Sequence, residues 1–570
     1  MRLSRHAPAA IALAALALLP APAPAGAKEI SACAAATYRP AEQPPFGGLE
    51  VLPLESVRGE SPPGHRPRAD VVSIALRAEV VRAEEEEHPP GLVIHTYTRG
   101  ECLWQVSFSA GGEEVARVTI DDRSGTVLEA WRDHQLGAEL ARGYGGAVAQ
   151  AVNSPWVWIS LCLLLVGAFF DPRRPFRLLH LDLLVLVGLS ASLYFFNRGE
   201  IEASVALTYP VLGYVLLRML HAGFRPVERA GPLWGWAPVR WLAIAAVLLG
   251  AGRIALNVAD SRVIDVGVAG VIGADHITGG EALYEGEFAP GIDLRGDVYG
   301  PANYLAYVPF EAALPWEGEW GEVPAAHAAA IAFDLIVVAG LFALGGRLRP
   351  GPEGRSLGIA LAFGWLACPW TLYAMNANVN DGLVAASVVW ALVALRSAPG
   401  RGLALAIGAA AKFGTAALAP LFATVGGVRD RRGAALFTAT FGLAMVLLFA
   451  PFLPGGGPSE LYDRTLGYQA DRGSPFSVWG LAPSLEPLQD VVRIGAVALA
   501  LVLAFVPRTK SLLQVAALSA AIVVAVQLGA THWFYFYVVW FLPAYLAVAL
   551  GEAGGPLRPS RSEARRAAAS

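Results

Sequence analysis

Charged residues are scarce in this chain of 570 residues, at 16% of the sequence against 55% hydrophobic residues. The 43 Lys and Arg nearly balance the 47 Asp and Glu. Because nucleic-acid binding needs clustered Lys and Arg, which the predicted outer segments lack, no nucleic acid is expected as a partner. Many apolar stretches are long enough to cross a bilayer, so a polytopic membrane protein with lipidic or small partners is predicted.

Cysteine is also rare, with four residues, which is too few for a disulfide-dense scaffold. Cys162 and Cys368 fall in apolar helices and are predicted to be packing residues. Cys33 and Cys102 both lie in a segment predicted to be exported, where an oxidising compartment would let them pair.

The N-terminus has the layout of a secretory signal over residues 1–26, with a basic start, an apolar run and then small residues. A lipoprotein signal ending at Cys33 is the alternative. Lys28 and Glu29 interrupt that pattern, so the secretory signal is preferred.

Residues 27–150 are polar and predict a small extracytoplasmic α/β domain. The stretch "ADVVSIALRAEVVRAEEEEH" has helical periodicity, whereas "GLVIHTYTR", "CLWQVSFSA" and "EVARVTIDDRSGTVLEAWR" alternate like strands, with a turn at "DDRSG". The second half of this segment weakly resembles a PepSY-type module.

Eleven apolar segments predict an all-α membrane region after residue 150, and connectors rich in Arg fall on every second side, as expected for cytoplasmic loops. The N-terminal domain would then be extracytoplasmic and the basic tail, 551–570, cytoplasmic. The predicted spans are 154–170, 178–195, 203–221, 238–256, 324–345, 357–375, 382–396, 434–453, 488–506, 511–529 and 534–550.

A further apolar stretch at 402–427 has basic residues at both ends, which predicts a re-entrant or broken helix pair with Lys412 near its tip. A lysine in an apolar half-helix is costly unless it is paired or lines a hydrated site. Snorkelling of Lys412 to an interface is the alternative.

The segment 257–323 is predicted to be an outer loop with 12 Asp or Glu against two Arg. Most of these carboxylates are expected to be solvated. Asp265 differs because apolar neighbours in "RVIDVGVAGVIG" would partly desolvate it and make its protonation tunable. Such a carboxylate can act as a general base toward an acceptor hydroxyl.

A series of motifs resembles the GT-C superfamily of integral-membrane glycosyltransferases, specifically the mannosyltransferase-like family 87 (DUF2029) branch, over roughly residues 238–550. The motifs are "VIDVGVAGVIGAD", "GGEALY", "DVYGPANYLAYVPFEAALPW", "NANVNDGLVAA", "AAAKFGTAALAPL", "YQADRGSPFSVWGL" and "HWFYFYVVWFLP".

This resemblance implies inverting transfer of a sugar, with mannose favoured, from a polyprenyl-phosphate donor to a hydroxyl of a glycan, lipid or protein acceptor on the outer face of the cytoplasmic membrane. It places an essential Asp in the first outer loop after the first core helix. Asp265 matches that position, and Asp260 is a competing candidate that spacing leaves open. No cofactor is expected, since no DxD or His cluster appears, although Asp265 and Asp297 could share a divalent ion if they meet.

The leaving phosphate would need cations or hydrogen-bond donors beside it. The candidates are Lys412, Arg464, Arg472 and His532. Ordinary solvation of the two arginines and headgroup anchoring by His532 are the alternatives.

A sugar would need aromatic platforms with amides and carboxylates nearby. The candidates for sugar or acceptor contact are Tyr299, Asn303, Tyr304, Tyr307, Asn378, Asn380, Asp381 and Gln469. An interfacial aromatic belt and helix capping are the alternatives.

Two other functions remain open. A lipid or small-molecule transporter or flippase would explain broken helices and an intramembrane lysine, but it predicts polar residues at mid-depth of several helices. A sensor built around the N-terminal domain would leave the acidic segment unexplained. The helices in 151–237 precede the predicted catalytic module, 238–550, and the sequence assigns them no role.

Overall fold

Most of the chain is described. The computed structural model describes residues 54–89, 91–99, 102–132, 136, 150–225, 238–286, 288, 296–317, 323–427 and 429–552. The predicted signal segment 1–26, Cys33 and the tail beyond residue 552 lie outside these described residues.

The N-terminal module contains a five-stranded sheet in which each strand pairs antiparallel with the next along the chain. The three strand-like stretches of the sequence are confirmed, and the first strand was not predicted. The strands are β1 (Leu54–Ser56), β2 (Val93–Arg99), β3 (Leu103–Ala110), β4 (Glu113–Asp121) and β5 (Val127–Arg132).

Two helices, α1 (Arg68–Ala75) and α2 (Glu79–Glu87), cover one face of this sheet. The single predicted helix is thus divided, since Ala78 is extended and begins the second helix. Alternation along β3 turns Trp104 and Phe108 to this face, where they are fully buried among helix side chains.

Cys102 of this module is disulfide-bonded. Cys162 and Cys368 are free, and both lie among apolar side chains of the helical region. Their predicted role in packing agrees with this placement.

The rest of the described chain is helical. Helices α3 to α23 are Gln150–Asn153, Pro155–Phe169, Leu178–Gly188, Ser190–Phe196, Ile201–Phe224, Val239–Ala259, Asp265–Gly279, Pro301–Glu311, Pro324–Leu348, Gly351–Leu366, Pro369–Asn376, Asp381–Val393, Ala398–Ala411, Ala419–Ala423, Arg431–Phe449, Gly457–Tyr462, Tyr468–Asp471, Val478–Leu481, Glu486–Phe505, Leu512–Leu528 and Val538–Gly551.

Six helical segments of the described chain are long and apolar enough to cross a membrane: Leu178–Phe196, Ile201–Phe224, Val239–Ala259, Pro324–Leu348, Arg431–Phe452 and Pro483–Phe505. A seventh is formed if α12 and α13, which meet at a bend of 59°, count as one broken span. Shorter apolar helices occupy the positions of the other predicted spans. The chain is therefore an all-α membrane protein with a small N-terminal sheet, and the count of eleven stays a prediction.

The segment 257–323 is not an open loop, because it contains α9 (Asp265–Gly279) and α10 (Pro301–Glu311). Glycines allow these helices to pack closely. An added Cβ at Gly270 or Gly273 would overlap the ring of Tyr307 or Tyr304 on α10. The segment was predicted to be a loop, whereas in the structure its glycines serve helix packing.

The predicted break near Lys412 is present. Helix α15 (Ala398–Ala411) ends immediately before Lys412, whose backbone is extended, and a 3-10 turn follows over Phe413–Leu418. Lys412 therefore lies at the C-terminal end of a short apolar helix.

Charged residues also lie inside the apolar helices, which the sequence analysis did not anticipate. Arg253 of α8 pairs with Asp334 of α11 at 2.7 Å, and both side chains are buried. Asp182 of α5 pairs with Arg218 of α7 at 3.0 Å. Each of these charges is balanced across two helices, as apolar surroundings require.

Candidate active site

The candidate site lies where the ends of several helices meet. Asp265 begins α9 and Asp381 begins α14, whereas Lys412 follows α15. Arg472 follows the short helix α19, and His532 lies in the turn between α22 and α23. Five residues that are distant in sequence thus contribute to one electrostatic environment.

Asp265 is half-buried at the first position of α9. Its carboxylate accepts the backbone N–H of Val266 at 2.8 Å, and a helix N-terminus favours negative charge there. Within the described part of the chain it forms no ion pair. The carboxylate is therefore held in place without being neutralised by a contact.

The surroundings of Asp265 make its protonation state adjustable. Burial raises the pKa of this carboxyl above its ordinary value. The positive charge of Arg472, the Val266 amide and the charge of Lys412 oppose that rise, whereas Asp381 adds to it. A carboxyl with a raised pKa and nearby cations has the properties of a tunable proton acceptor.

Asp260, the competing candidate, is engaged elsewhere. It caps the end of α8, and its carboxylate accepts the backbone N–H of Ala151 at 2.8 Å. The contact ties the short helix α3 to α8. This carboxylate has a structural task that Asp265 does not share.

Lys412 and Asp381 form a buried ion pair, with 2.8 Å between Nζ and Oδ1. The indole N–H of Trp540 donates to the same oxygen at 2.5 Å. Three rings surround the ammonium, with centroids 5.6 Å (Tyr299), 5.6 Å (Tyr537) and 5.5 Å (Trp540) from Nζ. Both carboxylate and aromatic faces therefore stabilise this lysine, whose charge is already balanced without a ligand.

Gly300 brings Tyr299 beside Lys412. Its backbone N–H donates to Ala411 at 3.3 Å, and an added Cβ would overlap the carbonyl of Ala410. Only a residue without a side chain permits this approach, so the turn before α10 packs directly on the end of α15.

Arg472 is half-buried and forms neither a hydrogen bond nor an ion pair with any described residue. Its charge acts on Asp265, Tyr299 and His532. In this site, as far as the structure is described, Arg472 is the cation left available for an anionic ligand.

Arg464 differs from Arg472. Its guanidinium bonds Asp297 at 2.8 Å, Glu460 at 3.1 Å and the carbonyl of Gly286 at 3.2 Å. These contacts fix the segment before α10 to the segment after α18. They also occupy Asp297, the residue considered as a metal ligand with Asp265.

His532 is held by Ser474, whose hydroxyl lies 2.9 Å from the ring Nδ1. Burial, with the charges of Arg472 and Lys412, lowers the pKa of His532 well below its ordinary value. The ring is therefore neutral at physiological pH and can donate or accept a hydrogen bond, but it adds no positive charge.

The tyrosines of α10 divide into two roles. Tyr304 donates to the carbonyl of Gly296 at 2.5 Å and is buried, which is a structural contact. Tyr307 is also buried, yet its hydroxyl has no partner among the described residues. Asn303 accepts from the amide of Asn380 at 2.6 Å and leaves its own Nδ2 without a described partner.

Asn378 has a structural use in the turn between α13 and α14. Its φ is 53°, and its side-chain amide donates to the carbonyl of Arg262 at 2.8 Å and to Ser261 at 3.1 Å. Asn257 donates to its side-chain oxygen at 2.9 Å. The turn is thereby attached to the segment that leads into Asp265.

Gln469 is half-buried on α19, three residues before Arg472, and forms no hydrogen bond with the described residues. Among those residues there is also no group of three or more His, Cys, Asp or Glu side chains arranged to hold a metal ion.

The chain matches no protein-family model, no curated protein and no solved structure. The resemblance to family 87 glycosyltransferases therefore remains a prediction, and the residues themselves carry the functional argument.

Sequence reasoning missed two members of the site, Tyr537 and Trp540. Their three-residue spacing places both on one side of the start of α23, next to Lys412. The aromatic run "HWFYFYVVW" was the available signal, but its partner Lys412, which follows α15, could not be read from it.

Proposed function

We propose that the chain is a membrane glycosyltransferase that moves a sugar from a polyprenyl-phosphate donor to an acceptor hydroxyl, with Asp265 as the general base. The observation that carries the proposal is a half-buried carboxylate without an ion pair among the described residues, which shares its surroundings with an arginine that also lacks a partner there and with a lysine whose charge is balanced. Such a site suits a reaction between a neutral nucleophile and an anionic leaving group.

The reaction is a single displacement. The acceptor oxygen forms a bond to the anomeric carbon while its proton passes to the Asp265 carboxylate. The bond from that carbon to the phosphate oxygen breaks, and the phosphate leaves with the electron pair. Inversion at the anomeric carbon follows.

Arg472 stabilises the leaving phosphate, because it is the site's cation without a described partner. Neutral His532 adds a hydrogen bond. The paired Lys412 shapes the field around Asp265 and orients the rings of Tyr299 and Tyr537. Those rings, with the unsatisfied Tyr307 hydroxyl and Asn303 amide, provide the apolar and polar surfaces that a sugar needs.

The finer features of the proposal come from the sequence pattern. Mannose as the sugar, an outward-facing site, eleven spans with a re-entrant pair and membership of the GT-C family 87 branch are part of the proposal. The acceptor is a glycan, a lipid or a protein bearing a free hydroxyl.

The decisive variant is Asp265→Asn in purified protein supplied with polyprenyl-phosphate mannose, glucose or galactose and a panel of acceptors. Loss of a general base lowers the transfer rate about 100-fold to 10,000-fold. Asp260→Asn is the matched control, because an Asn oxygen can still accept from Ala151 and transfer should stay near the wild-type rate. Equal rates in wild type and Asp265→Asn would reject the assignment.

A flippase is the second candidate, favoured by the buried Arg253–Asp334 pair inside two apolar helices. The test is translocation of a fluorescent prenyl phosphate in proteoliposomes. Translocation that is lost in Asp334→Asn would favour the flippase, and rates equal to those of protein-free vesicles would favour the transferase.

A further inference from the structure

Helices α6 and α7, which precede the predicted catalytic module, contact a tyrosine next to the candidate site. The hydroxyl of Tyr535, in the 3-10 turn before α23, is 2.7 Å from Ser192 on α6 and 2.7 Å from Ser204 on α7. Ser192 also lies 2.8 Å from Thr208. All four residues are buried, so these hydroxyls satisfy one another in an apolar region.

Ring packing reinforces this connection. Phe196 at the end of α6 packs against the rings of Phe476, Phe534 and Tyr535, with centroids 5.2, 5.2 and 5.4 Å away. The ring of Trp370 stacks on Tyr535 at 5.5 Å, with an interplanar angle of 10°. Tyr535 is therefore held on its hydroxyl and on its ring.

A tyrosine of α7 contacts the neighbouring segment. The hydroxyl of Tyr209 accepts the backbone N–H of Val478 at 3.1 Å. Ser477, one residue earlier, donates to the carbonyl of Thr531 at 2.6 Å. Helices α6 and α7 thus contact both 474–478 and 531–537, and these two segments are bonded to each other.

These two segments carry side chains of the candidate site. Ser474 bonds His532, and Tyr537 lies against Lys412. Residues 530–534 belong to no helix or strand, so their placement depends on contacts with other segments.

We propose that Tyr535 is a positioning residue through which α6 and α7 hold the wall of the site formed by 474–478 and 531–537. The expected effect on the donor Michaelis constant rests on the proposed function, whereas the expected effect on hydrogen exchange does not. The sequence assigned no role to the helices of 151–237, and this proposal gives them one, which is to position the side chains of His532 and Tyr537.

The experiment compares Tyr535→Phe with Tyr214→Phe in the full-length protein. Tyr535→Phe removes buried hydroxyl contacts to α6 and α7, whereas Tyr214→Phe removes a part-buried contact of α7 to Asp182, at 2.7 Å, in a different cluster. Amide hydrogen exchange is measured by mass spectrometry, and the Michaelis constant for the donor is measured where transfer is detected. Ser192→Ala provides a second variant that leaves every aromatic ring in place.

Tyr535→Phe and Ser192→Ala should speed exchange in 531–537 and raise the donor Michaelis constant about twofold to tenfold, in proportion to the lost hydrogen bonds. Tyr214→Phe should leave both unchanged. Equal exchange in 531–537 for wild type and both test variants would overturn the positioning role. If exchange in 531–537 is faster in the test variants but neither wild type nor any variant transfers a sugar, the positioning role is upheld and the proposed function is rejected.

Discussion

Two groups of charged residues in this protein differ in whether their members form ion pairs with each other. Arg253 and Asp334 form an ion pair with further partners: the guanidinium also donates to Thr371 at 2.9 Å, and Trp365 donates to Asp334 at 2.8 Å. In the candidate site, Asp265 and Arg472 act on each other electrostatically but form no ion pair among the described residues.

This difference distinguishes charges that stabilise the fold from charges that are available to a ligand. A buried charge surrounded by its own partners cannot engage a ligand without breaking them, and the cost of breaking them is high. A half-buried charge that lacks a partner can engage a ligand at no such cost. Lys412 resembles the Arg253–Asp334 pair in having its charge balanced, although it lies inside the candidate site, because Asp381 and three aromatic rings already surround it.

The largest expected effect comes from breaking the Arg253–Asp334 ion pair. Asp334→Ala leaves Arg253 charged and buried, which should cost about 3–5 kcal/mol of unfolding free energy. The double variant Arg253→Met/Asp334→Leu should recover much of that loss, since no uncompensated charge remains. Thermal unfolding in detergent measures both, and a double variant less stable than Asp334→Ala would contradict a purely structural pair.

A smaller effect should follow from removing the available cation. Arg472→Gln should raise the Michaelis constant for the donor by about tenfold or more, as expected for a lost hydrogen bond to a charged group. Arg464→Gln is the matched control, because its guanidinium serves Asp297 and Glu460. If donor titrations show a larger rise in the Michaelis constant for Arg464→Gln than for Arg472→Gln, the roles assigned to the two arginines are reversed.

The smallest effect is on the pH profile. The charge of Arg472 holds down the pKa of Asp265, so Arg472→Gln should raise that pKa further. A base must be ionised, and activity is lost as pH falls through its pKa. The acid limb of kcat/KM should therefore move to higher pH in Arg472→Gln and stay in place in Arg464→Gln. A move to lower pH would exclude Asp265 as the titrating group.

Local patterns predicted much of the fold. Alternation in "CLWQVSFSA" predicted β3, and apolar length predicted α5 to α8. Helices α9 and α10 were not predicted, because they depend on packing against each other, with glycines of α9 against tyrosine rings of α10. A single Arg253 or Asp334 within an apolar run also gives no sign of its partner, since such pairs form between helices distant in sequence.

For the candidate site, the sequence singled out residues but not the contacts between them. Asp265, Asp381, Lys412, Arg472 and His532 were singled out, and they share one environment. The pairing of Lys412 with Asp381, and of Arg464 with Asp297, depends on tertiary structure. These pairings decide which cation is available, so that choice required the structure.

The anomeric configuration of the product tests the central claim most directly. Wild-type protein is supplied with a polyprenyl-phosphate sugar of defined configuration, and NMR spectroscopy of the glycosylated acceptor gives the configuration formed. With Asp265 as a general base in a single displacement, the product should have the opposite configuration at the anomeric carbon. Retention would indicate a covalent enzyme intermediate, with a carboxylate acting as the nucleophile, and would contradict this account.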